Sequence, residues 1–248
     1  MKQVKVENFP QLDYATNEAL NTLCTNIVFS GENVRRILVT SCREHEGKSF
    51  VSMGIMNTLA SMGYSVVLVD ADLRRSVIAS KYGIHFPADG MGLSHYLTRR
   101  IALEDVAYET DIPGAYMIPV GRDVVNSMQL LSSLRFEELL NQLAEKVDYV
   151  IVDTPPVGAI VDAAVVAKSC DGAIIVVSSN LATKKELVSA KQQIEKSGCP
   201  VIGAVLNKVE KSHSSKYYHR YYGSYESKGY YRRDSEDESK GKKKGARA

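Results

Sequence analysis

The sequence predicts a doubly wound α/β fold built on a mostly parallel sheet. Apolar runs rich in valine and isoleucine alternate with segments long enough for crossover helices, which is typical of parallel strands buried on both faces. The apolar runs are residues 36–41, 65–72, 115–121, 148–155, 172–179 and 200–207. The helical segments between them include residues 49–62, 132–146 and 184–197. This alternation of strands and helices predicts one sheet covered by helices on both sides.

Length and composition favour one larger domain in a reducing compartment. The chain has 248 residues, 44% of them hydrophobic, which is enough to bury a core of its own. Residues 1–10 lack the apolar stretch of a signal peptide, and no apolar run approaches the ~20 residues that cross a bilayer. The four cysteines show no metal-ligand spacing and are expected to be buried thiols. We therefore expect a cytoplasmic protein whose membrane contact, if any, is made through a partner.

Two segments flank the predicted sheet, so the chain divides into three parts. Residues 1–34 contain an amphipathic helix over 17–29, in which four apolar residues lie at helical spacing: Leu20, Leu23, Ile27 and Val28. Residues 35–210 form the α/β domain. Residues 211–248 form a C-terminal tail.

The tail is predicted to be disordered. It contains no Val, Ile, Leu, Met or Phe, so it cannot bury enough apolar area to offset an ordering cost of roughly 1–2 kcal/mol per residue. Its charge is +6, which leaves about −4 on the rest of a chain whose net charge is +2. Half of the chain's fourteen tyrosines lie here: Tyr217, Tyr218, Tyr221, Tyr222, Tyr225, Tyr230 and Tyr231.

The first strand leads into a loop that predicts phosphate binding. Residues 42–49 read CREHEGKS and are followed by a predicted helix. Gly47 allows the backbone to approach an anion, Lys48 supplies a positive charge, and Ser49 offers a hydroxyl to Mg²⁺. Glu46 and Phe50 belong to the same predicted nucleotide-binding segment. The first glycine of the full P-loop motif is replaced by a cysteine, but the strand–loop–helix setting favours a P-loop NTPase fold that binds ATP.

Three aspartates end two of the other apolar runs. Asp70 and Asp72 close the second run, and Asp153 closes the fourth. Because the carboxyl ends of parallel strands meet at one edge of a sheet, these carboxylates should lie beside the phosphate loop. Asp153 has the position of a residue that organises the Mg²⁺ shell of a nucleotide.

Together these motifs resemble those of bacterial tyrosine kinases (BY-kinases) of the capsular and exopolysaccharide type. That family is related to the MinD- and ParA-type ATPases. The resemblance covers essentially the whole chain and rests on five pieces: Gly47-Lys48-Ser49, the D-x-D-x-R motif at 70–74, the DTPP motif at 153–156, the GAVLN motif at 203–207, and the tyrosine-rich tail.

The resemblance implies a role for each residue around the phosphates. Lys48 is implied to bind the phosphates of ATP and to stabilise the transferred charge. Ser49 is implied to ligate Mg²⁺, while Asp72 and Asp153 organise its shell. Asp70 is implied to orient or deprotonate the incoming tyrosine hydroxyl.

Three further implications concern the surroundings of the reaction. Arg74 is implied to support either the acidic pair or the acceptor segment, and Asn207 to contact adenine. The seven tail tyrosines are implied to be the phosphate acceptors. The partners implied are other copies of the chain, a membrane-embedded polysaccharide co-polymerase that activates the kinase, and a protein-tyrosine phosphatase, which place the chain at the inner face of the membrane.

The chain departs from the family's pattern at three places, one of which is the usual Pro-Asn-Pro-x-Glu-Leu-Leu stretch, read here as VNSMQLL over residues 125–131. Glu44 and His45 stand where the family usually carries Pro-Gly, so we expect weaker nucleotide affinity unless Arg43 or Mg²⁺ offsets the added carboxylate. The family's E-x-x-R-x-x-R motif, linked to ring assembly, is represented by Glu18-x-x-Asn-x-x-Cys24 without either arginine.

The sequence thus predicts an ATP-dependent autokinase that phosphorylates its tail between subunits and regulates polysaccharide synthesis and export. Two alternatives stay open. One is a MinD/ParA-like ATPase switch, in which water accepts the phosphate, and the other is a nucleotide-sensing adaptor. Tyrosines among basic residues can also stack on nucleic acid, but the acidic run Asp234–Glu238 interrupts the basic field and argues against a nucleic-acid partner.

Overall fold

The computed structural model describes residues 2–87, 90–99, 101–122, 124–179 and 181–209. The strands are β1 (Lys2–Val4), β2 (Arg36–Ser41), β3 (Val66–Asp70), β4 (Tyr108–Thr110), β5 (Ala115–Ile118), β6 (Tyr149–Asp153), β7 (Gly172–Ser178) and β8 (Val201–Asn207). The helices are α1 (Tyr14–Phe29), α2 (Lys48–Ser61), α3 (Ile78–Lys81), α4 (Leu93–Thr98), α5 (Ser127–Leu131), α6 (Leu134–Lys146), α7 (Asp162–Ala167) and α8 (Lys184–Glu195). The tail and its predicted disorder lie outside the described residues.

The predicted mostly parallel sheet is confirmed. Its strand order is β1-β4-β5-β3-β6-β2-β7-β8, and every neighbouring pair is parallel except β4 and β5. All six predicted strands are present. The sequence missed β1 and β4, because each has three residues and neither carries a long apolar run. Both exist through pairing with a neighbouring strand rather than through their own pattern.

Helices cover both faces of the sheet, so the central strands are buried throughout. In β3, Val67 and Val69 pack into one core with the apolar faces of α4 to α8. Val66 and Leu68 of the same strand pack into the other core, which α1, α2 and α3 complete. This alternation explains why the strand reads as a continuous apolar run.

The burial of the cysteines, predicted from composition, is also confirmed. The four cysteines are buried and free. None of the described helices has both the length and the apolar character needed to cross a bilayer.

Asp171 joins the start of β2 to the start of β7. Its Oδ2 accepts hydrogen bonds from the backbone N–H groups of Arg35 (3.1 Å) and Arg36 (2.7 Å). Its Oδ1 lies 2.6 Å from the Arg36 guanidinium. Burial alone would raise the pKa of Asp171, but these hydrogen bonds outweigh it and the pKa lies below its usual value. The aspartate therefore stabilises the fold in its charged form.

We expect Asp171→Asn to lower the free energy of unfolding by about 2 kcal/mol at neutral pH, since hydrogen bonds to a charged partner are lost. The folded-state pKa is depressed, so this contribution is present above the unfolded pKa of about 3.9 and disappears as the pH falls through the folded pKa. Urea unfolding of both proteins between pH 7 and pH 3 measures the difference. The exposed Glu138 offers a control, Glu138→Gln, with the same change of charge. A difference for Asp171→Asn that does not shrink at low pH would contradict this explanation.

Candidate active site

The candidate site lies where β2, β3 and β6 end. These strands are neighbours at the centre of the sheet, in the order β3-β6-β2. Asp70 and Asp153, the last residues of β3 and β6, stand directly opposite each other in the strand register. The loop after β2 leads to α2, whose first residue is Lys48. The carboxyl edge of the sheet thus brings together the residues that the sequence predicted there.

The phosphate loop keeps its shape through contacts with the ends of β7 and β8. Within the loop, the buried Glu46 carboxylate accepts a hydrogen bond from the backbone N–H of Arg43 (2.7 Å). Its other oxygen accepts one from Ser178 in β7 (3.3 Å). The side-chain amide of Asn207, at the end of β8, donates to the Glu46 carbonyl (2.9 Å). Asn207, predicted to contact adenine, therefore holds the loop itself in this structure.

The two residues in which the loop departs from the family lie near cations. His45 adopts φ +63°, in the left-handed region that suits the usual glycine, and its carbonyl accepts a hydrogen bond from Lys208 Nζ (2.6 Å). The Glu44 carboxylate lies 3.8 Å from Arg75. Arg43, considered from sequence as its counter-charge, pairs instead with Glu186 of α8 (2.6 Å).

Lys48 lies at the centre of the site. Its ammonium is 3.2 Å from Asp153 Oδ2 and 3.4 Å from Asp72 Oδ2. Burial would lower the pKa of Lys48, but the carboxylates of Asp153, Asp72 and Asp70 outweigh it and the pKa is raised. Lys48 is therefore held as a cation among carboxylates, in the position to attract a phosphate once one enters the loop.

The Asp153 carboxylate is held from two positions on α2. Ser49 Oγ donates to Asp153 Oδ2 (2.9 Å), and Ser52 Oγ donates to Asp153 Oδ1 (2.8 Å). Both serines face the end of β6 because residues three apart share one side of a helix. Ser52 was not predicted from the sequence, although its i+3 spacing from Ser49 was a readable signal.

Asp70 and Asp72 occupy different environments. Asp70 is fully buried, and its burial together with the nearby Asp153 raises its pKa to about 8, although a hydrogen bond from Ser76 opposes this. Asp72 lies in the loop after β3, where its Oδ1 accepts from the backbone N–H of Arg75 (3.0 Å) while its Oδ2 faces Lys48. The two carboxylates thus differ in their access to solvent and in their partners.

Arg74 bonds to a residue that the sequence did not single out. Its guanidinium donates to both oxygens of Asp162, at 2.9 and 3.3 Å. Asp162 is fully buried at the start of α7 and also accepts from Ser127 Oγ (2.9 Å). Arg74 therefore anchors the loop that carries Asp72 to the start of α7, and its support of the acidic pair or of the acceptor segment stays a prediction.

A cleft of about 1050 Å³ opens over Lys48, Ser49, Asp72 and Arg74. Its walls combine the phosphate loop, Phe50 and the loop after β3 with an apolar side formed by Val124, Pro155 and Ile160. Lys81 lies over the ring of Phe50, 5.9 Å from its centroid. The seven predicted acceptor tyrosines lie outside the described residues, so the cleft is seen without them.

A Gly-Lys-Ser loop between a strand and a helix, flanked by aspartates at adjacent strand ends, defines a P-loop nucleotide-binding protein. Residues 34–198 match the family model described as AAA domain. Tyrosine-protein kinase CpsD of Streptococcus agalactiae serotype III (strain NEM316) is 38% identical over 199 residues, which cover 79% of this chain and 84% of the relative. The chain belongs to the bacterial tyrosine kinase family.

Solved structures agree with this assignment. The kinase domain of Escherichia coli tyrosine kinase ETK superposes with a TM-score of 0.76 at 32% identity, covering 83% of this chain and 82% of that one. The chimerical protein CapA2B2 gives 0.75 at 27% identity, covering 84% and 93%. MinD of Pyrococcus horikoshii, with a TM-score of 0.61 at 22% identity and coverage of 73% and 76%, shares the fold.

Gly47 offers a direct test of the loop. It has φ +90°, and a Cβ at this position would lie 2.1 Å from Asn207 Nδ2. We expect Gly47→Ala to displace the Asn207 amide from the Glu46 carbonyl and to lower ATP affinity more than tenfold, because the loop loses its shape. Equilibrium binding of a fluorescent ATP analogue measures this.

Gly63→Ala is the matched control. Gly63 has φ +92°, but a Cβ added there would meet nothing within 4 Å. This variant should lose about 1–2 kcal/mol of stability to backbone strain and bind ATP like the unchanged protein. Equal ATP affinity in the two variants would show that the contact with Asn207 does not shape the loop.

Proposed function

We propose that this protein transfers the γ-phosphate of ATP to tyrosines in its own C-terminal tail, between subunits, and so regulates capsular or exopolysaccharide synthesis and export. The observation that carries the proposal is the position of Lys48, held among Asp72 and Asp153 beside the buried carboxylate of Asp70. Phosphoryl transfer requires a protein to position its reactants and neutralise charge, and this arrangement supplies both.

The donor set fits a magnesium nucleotide. Ser49, Asp72 and Asp153 offer hydroxyl and carboxylate oxygens, the hard ligands that Mg²⁺ prefers. Among the described residues no group of three or more His, Cys, Asp or Glu could hold a metal alone. Mg²⁺ usually takes one or two carboxylates and completes its shell with water and phosphate oxygens. When bound, Mg²⁺ would neutralise charge on the phosphates.

The protein's own residues would bind the phosphates, accept the proton and support the phosphate loop. Lys48 would bind the phosphate oxygens, and the N–H groups at the start of α2 would add their positive field. Asp70, in its ionised form, would accept the proton of the tyrosine hydroxyl while the tyrosine oxygen bonds to the γ-phosphorus and ADP leaves. Asn207 and Glu46 would keep the loop in shape, while Phe50 would contribute to the wall of the nucleotide site.

The tail supplies the acceptor by its composition. Its seven tyrosines stand in a segment without Val, Ile, Leu, Met or Phe, and its charge of +6 is opposite in sign to the charge of about −4 on the rest of the chain. Each phosphate would add about −1.5 to −2 charges, so three or four would neutralise the tail and weaken association between copies. Reversal needs a protein-tyrosine phosphatase.

The membrane connection is part of the same proposal. A membrane-embedded polysaccharide co-polymerase would recruit the chain to the inner face of the membrane and complete its site. Support comes from the sequence motifs that resemble tyrosine kinases of the capsular and exopolysaccharide type, because that resemblance implies such an activator, and from relatives named as tyrosine-protein kinases.

The second candidate is an ATPase switch, which the shared fold with MinD favours. Here water would replace tyrosine as the acceptor. The tyrosine kinase is preferred because relatives more than 30% identical, covering most of the chain, are tyrosine kinases.

One assay distinguishes the candidates. The full chain is incubated with Mg-ATP, with and without the cytoplasmic segment of the activator, while tail phosphotyrosine and free phosphate are followed by mass spectrometry and a phosphate assay. We expect phosphotyrosine in the unchanged protein and a loss of at least 100-fold in Lys48→Met and Asp70→Asn, because charge neutralisation and proton acceptance are removed.

Lys191→Met serves as the matched lysine control, since Lys191 is an exposed residue of α8 that should not affect the reaction. Phosphate release without phosphotyrosine would favour the ATPase switch. If neither phosphotyrosine nor free phosphate forms, the result would favour a nucleotide-sensing adaptor.

A further inference from the structure

Ser52 and Asp153 form a hydrogen bond entirely inside the protein. Ser52 is 0% exposed and Asp153 is 1% exposed. Ser52 Oγ lies 2.8 Å from Asp153 Oδ1 and 3.1 Å from the Lys48 carbonyl. Its single proton belongs with the carboxylate, because the charge-assisted bond is the shorter and stronger of the two.

The two oxygens of Asp153 have different donors. Oδ2 accepts from Ser49 (2.9 Å) and Lys48 (3.2 Å), both of which line the cleft. Oδ1 accepts from the fully buried Ser52. The hydrogen bond to Asp153 is therefore the contact through which Ser52 can act on the site.

The donors to the two Asp153 oxygens would also differ in their partners once a nucleotide is bound. If the proposed function holds, on which this inference rests, Ser49 turns its oxygen to Mg²⁺ and Lys48 turns to the phosphates. Both donors to Oδ2 would then have other partners. The hydrogen bond from Ser52 would remain to fix the rotation of the Asp153 carboxylate.

We propose that Ser52 is a positioning residue, which orients Asp153 toward Mg²⁺ by holding its Oδ1. Hydrogen bonds of this kind, one step removed from a metal, typically change metal affinity by about 10–100-fold when removed. The role goes beyond the motif, since Ser52 belongs to neither the Gly-Lys-Ser loop nor the aspartate motifs.

The test separates the metal-dependent part of nucleotide binding from the rest. ADP affinity of the full chain is measured by calorimetry in Mg²⁺ and in EDTA. For Ser52→Ala we expect unchanged affinity in EDTA and a Mg²⁺-dependent gain reduced about tenfold. Ser52→Cys, which keeps the volume but is a poor donor, should behave in the same way and provides a second variant should the alanine protein fail to fold.

Two controls fix the interpretation. Ser61→Ala removes a hydroxyl from the same helix, where Ser61 bonds the carbonyl of Asn57 (2.8 Å), and should retain the full gain. Ser52→Thr keeps a hydroxyl at this position and should keep most of the Mg²⁺-dependent gain in ADP affinity.

The inference is overturned if Ser52→Ala and Ser52→Cys keep the full Mg²⁺-dependent gain, or if affinity falls equally in Mg²⁺ and in EDTA. An unchanged chain that binds ADP without any Mg²⁺-dependent gain would overturn the magnesium site itself. Failure of the proposed function is thereby distinguished from failure of the role of Ser52.

Discussion

The site depends on one partly buried cation among carboxylates. The Lys48 ammonium lies within 3.4 Å of both Asp72 and Asp153, while Asp70 adds a third carboxyl group at the end of the adjacent strand. Removal of the cation would leave like charges crowded in a buried site, which is costly when one partner of a buried pair is lost. The same lysine is the residue that the phosphates of ATP would recruit. Lys48 thus belongs both to the ion pairs and to the proposed reaction. On nucleotide binding, the phosphates of ATP would replace the Asp72 and Asp153 carboxylates as its partners.

The loop that presents Lys48 is held by residues distant in sequence. Glu46 ties it to Ser178 of β7, and Asn207 of β8 holds its backbone. Gly47 is required because a side chain there would occupy the position of the Asn207 amide. His45 keeps the left-handed conformation that a glycine would adopt freely, with its carbonyl bonded to Lys208. The loop's altered sequence is therefore accommodated in a conformation that the rest of the sheet edge supports.

The central strands were predictable from sequence because buried parallel strands read as continuous apolar runs. The convergence of Lys48 with three aspartates was predictable because parallel strands end at the same edge of a sheet. The sequence could not predict β1 and β4, whose three-residue segments depend on tertiary pairing. It also missed Asp162 as the partner of Arg74, since nothing local links positions 88 residues apart. The hydrogen bond from Asn207 to the Glu46 carbonyl was also not predictable, because the sequence shows that Asn207 ends a strand but does not show which residue it contacts.

A crystal structure of the chain with Mg²⁺ and a non-hydrolysable ATP analogue would show whether Lys48 and the 42–49 loop bind the nucleotide. We expect a γ-phosphate oxygen within hydrogen-bonding distance of Lys48 Nζ and a Mg²⁺ ion bonded to Ser49 Oγ, with the Asp153 carboxylate beside it. A nucleotide bound away from the 42–49 loop, or a triphosphate that leaves Lys48 paired with Asp72 and Asp153, would contradict it.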